Sequence, residues 1–147
     1  MEMKKMCATV AVLALIAASA CSQKQATEVP AAANDPLVNK GVGPVTSVTL
    51  GALDSQKIEA GKKLFQEKCS ACHKFDEKYV GPALKGVTAR RSPEWILNMI
   101  LNPQEMTQKD PIAQELLATH FTQMPFQNVT QEETRNILEF FRQNDSK

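Results

Sequence analysis

The sequence predicts an all-α domain preceded by an export segment. Two observations carry this: apolar side chains recur at helical spacing behind recognisable N-cap residues, and neither a hairpin signal nor βαβ alternation occurs along the 147 residues. The length suits one ordinary domain, and 43% apolar with 22% charged residues is a globular composition.

Residues 1–20 read as a secretory signal. Lys4 and Lys5 precede an apolar run from Ala8 to Ala18, which leads into Ala18, Ser19, Ala20 and then Cys21. The run is shorter than the roughly 18 to 20 apolar residues a membrane span requires. Small residues before a cysteine suit two cleavage chemistries, ordinary signal peptidase or lipoprotein processing. The stretch resembles a bacterial lipobox, which implies that Cys21 becomes the lipidated first residue, although Ala18 stands where that pattern more often has leucine. Several acyl chains on one residue would anchor the protein durably. The expected location is the periplasmic side of a bacterial membrane. After removal of residues 1–20, 15 Lys and Arg face 15 Asp and Glu, which argues against a generally basic nucleic-acid binder.

Residues 21–53 are expected to form the lipidated N-terminus and a flexible tether. They contain no aromatic side chain and are rich in Ala, Val, Pro, Gly and Asn, too little to bury a core. A flexible chain of that length reaches roughly 30 Å. The alternative is that Val45 to Leu50 forms a small strand or packs on the domain.

The folded domain is expected over residues 54–147. Asp54 or Ser55 caps a helix carrying Ile58, Gly61, Leu64, Phe65 and Lys68 at helical spacing, directly before Cys69. After a loop containing Gly and Pro, Pro93 opens a helix whose apolar face runs from Trp95 to Leu101 and which stops at Pro103. A further helix is expected over residues 111–121. The last begins at Thr130, with Glu133 three residues on as a capping box, and carries Ile137, Leu138, Phe140 and Phe141.

The chemistry sits in Cys69-Ser70-Ala71-Cys72-His73, a spacing that matches covalent attachment of one haem c. Two thiols separated by two residues can add to the two vinyl groups of the porphyrin, and the adjacent histidine then serves as proximal iron ligand. A large flat apolar cofactor also compensates for a core with only six Phe, one Trp and one Tyr. A zinc site would need further Cys or His at suitable spacing, and only His120 remains in the folded part. A thioredoxin-like dithiol would need βαβ patterning. For the sixth ligand the choice is Met124, in a Met124-Pro125 pair between helices, fifty-one residues beyond His73. Met106 and His120 are rivals; Met99, on an apolar helix face, reads as core. A closed His/Met iron suits single-electron transfer, whereas an open sixth position would suit a haem enzyme or gas sensor. A haem-free dithiol lipoprotein is the remaining alternative.

Residues 54–142 resemble the class I cytochrome c family at more positions than the haem motif. Gly61 and Phe65 look like the family's N-terminal helix contact, with Leu138 and Phe141 as its partner on the C-terminal helix. The resemblance implies a cytochrome c-like helical domain wrapped around one haem. It implies that the Pro82 carbonyl, in Gly81-Pro82, accepts the proximal histidine's Nδ1 proton. Arg90, Arg91 and Trp95 fall where the family commonly places donors to the haem propionates. More narrowly, residues 43–142 are similar to small lipoprotein cytochromes that accompany a bacterial nitrous oxide reductase. The expected function is therefore an electron carrier, not an enzyme, serving redox partner proteins and no small-molecule substrate. Residues 55–93 hold nine Lys or Arg against four acids, and residues 94–147 four against eight, so an acidic docking face is expected on the partner.

Overall fold

The computed structural model describes residues 34–147. The expected signal segment and Cys21 lie outside the described residues. Among the described residues the helices follow one another as α1 (Ser55–Lys68), α2 (Val87–Arg90), α3 (Pro93–Leu101), α4 (Pro103–Lys109), α5 (Pro111–His120) and α6 (Gln131–Asp145). There is no strand among the described residues, and no described helix is long and apolar enough to cross a membrane.

Local chemistry starts these helices. The Asp54 carboxylate accepts the backbone N–H groups of Gln56 and Lys57 at 2.9 and 3.2 Å, capping α1. Thr130 and Glu133 form the expected reciprocal capping box on α6, at 3.1 and 2.8 Å. Pro93, Pro103 and Pro111 each stand at the start of a helix, where the missing N–H costs nothing and φ is already set. Pro103 thus ends α3 and also begins α4, a helix the sequence reading omitted. The expected helix over residues 111–121 ends one residue early, because Phe121 turns left-handed at φ 54°.

The largest helix–helix interface joins α1 to α6. Its closest point is Gly61, where an added Cβ would lie 2.0 Å from the Asn136 carbonyl oxygen, so only a residue without a side chain permits this crossing. One turn on, Phe65 meets Phe75, Phe140 and Phe141 with ring centroids 5.1 to 5.9 Å apart, in tilted and edge-to-face arrangements. Ile137 and Leu138 are almost fully buried beside them.

Of the tether expected over residues 21–53, the part from residue 35 to 51 is corrected in favour of the packing alternative, and residues 21–33 lie outside the described residues. Residues 35–51 lie along the domain as a strap without strand structure. Asn98, 1% exposed, binds it in three places: its Nδ2 donates to the carbonyls of Lys40 and Val45, and its Oδ1 accepts the Val45 N–H. The Val42 N–H meets the Met106 sulfur at 2.9 Å, while Val42, Val45 and Val48 pack on the core. Arg135 and Arg142 of α6 donate to the carbonyls of Thr49 and Gly51. Three valines and paired backbone groups are enough to hold a segment that could not fold alone.

Gly61→Ala should lower stability by about 1–3 kcal/mol, since backbone rather than a flexible side chain must yield. A denaturant midpoint equal to that of the parent protein would contradict this account of the helix crossing.

Candidate functional site

Cys69 caps the C-terminus of α1, its N–H donating to the Phe65 carbonyl. The chain then turns tightly, with the N–H groups of Cys72 and His73 both donating to the Cys69 carbonyl at 3.0 and 2.9 Å. This turn brings both thiols and the imidazole to the wall of one cavity of about 230 Å³. Loop 74–85 is stitched beneath it: Gly81 N–H donates to the Cys72 carbonyl, Leu84 to Lys74 and Lys85 to Phe75.

His73 Nδ1 stands 3.2 Å from the Pro82 carbonyl oxygen. A carbonyl can only accept, so this nitrogen carries the proton and Nε2 keeps its lone pair, the form a metal ligand requires. Burial lowers the imidazole pKa, outweighing the opposite effect of the Pro82 bond, and so also favours the neutral ring. Gly81 leaves the ring room, since a Cβ there would lie 2.5 Å from Cε1. Burial pushes the Cys69 thiol up to about 11, with Lys68 only partly offsetting it. A protonated, buried thiol is a poor nucleophile, which disfavours thiol–disulfide exchange in this closed fold.

Met124 lines the same cavity, on the loop between α5 and α6. That loop is bracketed by two left-handed non-glycine residues, Phe121 and Asn128, at φ 54° and 51°. Its Gln123 side chain accepts from the Thr107 hydroxyl at 2.7 Å and donates to the Pro103 carbonyl at 3.3 Å. Met99 also lines the cavity, partly buried. Met106 is a different case: it is fully buried away from the cavity lining and receives the strap, which removes it as a rival ligand. His120 does line the cavity, and its buried Nδ1 has no hydrogen-bond partner.

Arg90 and Arg91 both reach the cavity wall. Arg90 is braced on the carbonyls of Lys85 and Ala83. Arg91 donates to the Arg90 carbonyl and holds its guanidinium 5.3 Å from the Trp95 ring centre. Trp95 lines the cavity as well. Its indole N–H, expected to reach a propionate, is committed instead to the buried Asp110 carboxylate at 3.0 Å.

The haem expected from the sequence fits this site. Two thiols and an imidazole with a free lone pair share one wall, the rest of the lining is mainly apolar, and the polar exceptions include two guanidinium groups and an orphaned imidazole nitrogen. Those exceptions suit a flat apolar macrocycle with two carboxylates. Sequence reasoning missed Asp110, Asn39, Thr107 and Gln123. Asp110 alone carried a signal, as a cap before Pro111, and nothing in that signal points to the cavity.

The sequence model of the cytochrome c family matches residues 58–145. Among curated relatives, a cytochrome c-553-like protein of Synechocystis sp. is 36% identical over 61 residues, 40% of this chain and 58% of that protein. Cytochrome c2 of Rhodopseudomonas palustris is 39% identical over 46 residues, 31% of this chain and 32% of the relative. The matches therefore span less than two thirds of these curated relatives. A solved cytochrome c from Rhodothermus marinus superposes with a TM-score of 0.70 at 39% identity, covering 78% of this chain and 94% of that one. The matched span contains the motif at the cavity wall and, from Ile58 onward, the helices around it, so the chain belongs to the cytochrome c family and carries one covalently attached haem c.

Proposed function

We propose that the protein is an electron carrier whose iron is held by His73 and Met124, and that it is not an enzyme. The observation that carries this reading is that an oriented, neutral imidazole and the Met124 residue line one largely apolar cavity beside the two attachment cysteines. When bound, haem c supplies a one-electron Fe(III)/Fe(II) couple, and a thioether ligand favours the reduced state. The residues supply everything else. Pro82 fixes the His73 ring, Gln123 and Thr107 tie the Met124 loop to α4, and buried Phe65, Ile96 and Ile100 exclude water. Arg90 and Arg91 are assigned to the propionates.

Surface charge supports partner proteins with an acidic docking face. Lys68 lines the cavity, and Lys78 lies close enough to His120 to lower its pKa, after the larger effect of burial. Exposed Tyr79 and Phe126 stand in loop 74–85 and in the Met124 loop, and such apolar side chains suit a brief, partly desolvated encounter. The N-terminal motif supports lipid anchoring through Cys21 on the periplasmic side of a bacterial membrane. A terminal reductase such as nitrous oxide reductase is the acceptor that the sequence resemblance favours.

Optical spectra of the matured protein test the ligand set. The expected result is a low-spin haem c with the far-red methionine-sulfur band, unaffected by carbon monoxide; a high-spin, gas-binding iron would point to a sensor or enzyme. Met124→Ala should lose the band and lower the reduction potential with the haem still attached, and an unchanged spectrum would remove Met124 from the site. Gly81→Ala should push the His73 ring off the Pro82 carbonyl and add a high-spin fraction, visible in the ferric spectrum. Lys78→Glu should slow reduction of an acidic partner at low salt without moving the potential. Equal rates at all ionic strengths would place docking elsewhere.

A further inference from the structure

Asp110 is 2% exposed at the junction of α4 and α5, one side chain behind the cavity wall. Its Oδ1 accepts the Trp95 indole N–H at 3.0 Å and the Ala113 backbone N–H at 2.8 Å. Its Oδ2 accepts the Asn39 side-chain amide of the strap at 2.6 Å. All three partners are donors, which suits a carboxylate rather than a carboxylic acid. All three are also neutral, and Asp110 forms no salt bridge among the described residues. The charge is therefore solvated by dipoles and is not cancelled by an adjacent cation. Trp95, whose ring is part of the wall, is itself 4% exposed, so little water stands between the carboxylate and the cavity.

A fixed anion in a medium of low dielectric acts over a longer range than one at the surface, and salt screens it little. We propose that Asp110 is a potential-setting residue: its buried negative charge stabilises the oxidised iron, which carries one more positive charge than the reduced iron, and so holds the reduction potential down. Reduction takes one electron from a donor protein and removes one unit of that positive charge, so the attraction to Asp110 weakens in the reduced state. Arg91 opposes the effect. It lines the cavity, and its guanidinium feels the Asp110 carboxylate, which raises the Arg91 pKa against the stronger lowering by burial and by Arg90. The strap enters the redox unit through Asn39, which solvates the carboxylate. This deepens the electron-carrier reading and rests on it for its biological use.

The experiment compares reduction potentials of the matured haem proteins by spectroelectrochemistry at neutral pH. Asp110→Asn and Asn39→Ala both disturb the strap's hydrogen bond to position 110, and only the first removes the charge. The expected result is a higher potential for Asp110→Asn, at low and at high salt alike. Asn39→Ala should keep a potential near the parent's while lowering the denaturant midpoint. An Asp110→Asn potential equal to the parent's, or shifted no further than that of Asn39→Ala, would overturn the proposal. If Asp110→Asn does not mature, the exchange N39D/D110N keeps an amide–carboxylate pair and moves the charge towards the strap. A smaller rise in potential is then expected, and no rise would overturn the proposal. Failure of the carrier reading is separately visible, as a high-spin, carbon monoxide-binding parent protein.

Discussion

The close approach of α1 and α6 at Gly61 is the constraint on which the rest of the structure depends. With no Cβ between the helix and the Asn136 carbonyl, the two backbones meet one turn before Phe65 and two turns before Cys69. Phe65, Phe140 and Phe141 then close over the crossing, and Phe75 joins them from the loop beyond the motif. The Cys69–His73 turn is thereby held from both sides. A site that must present two thiols and one imidazole in fixed geometry is better served by a helix end locked into the core than by a free loop.

The wall opposite is built differently. Three short helices, each opened by a proline, change direction at Asn102 and Asp110, and those corners are polar residues tied inward. Asn102 reaches the Val42 carbonyl and Asp110 reaches Asn39, so the strap makes contact at both bends. Asn98, one turn before Asn102 along α3, takes three more of its backbone groups. Polar side chains along this wall thereby pair with backbone amides and carbonyls that the strap by itself leaves unpaired. The strap is consequently a structural part of the domain.

Charge is arranged in two layers. Cationic groups, Lys68, Arg90 and Arg91, stand at the cavity lining, where they can meet carboxylates of the cofactor or of a partner. The anionic Asp110 stands behind Trp95 and is satisfied by neutral donors. Of these cations Arg90 is exposed and Lys68 and Arg91 are half-buried, whereas Asp110 is buried and little screened by salt.

The sequence by itself determined the helical class, the attachment motif and the caps at Asp54 and Thr130. Each is written in neighbouring residues: periodicity, capping and the Cys-x-x-Cys-His spacing act within a few positions along the chain. Met124 was legible as a candidate for a similar reason, since a Met-Pro pair in an interhelical loop suits a presented sulfur. Tertiary structure decided what depends on partners far apart. The amides of the one-turn α2 are capped by Asp145, 59 residues from Gly86, so no local signal announced it. The strap looked like a tether because its apolar content is too low to fold alone, and it packs because Asn98, Arg135 and Arg142 supply hydrogen bonds from elsewhere. Trp95 and Asp110, fifteen residues apart, satisfy each other, which turned an expected propionate donor into a wall of the cavity. Patterns along a chain reveal where backbone groups begin to pair, and only the closed fold reveals which distant side chain completes them.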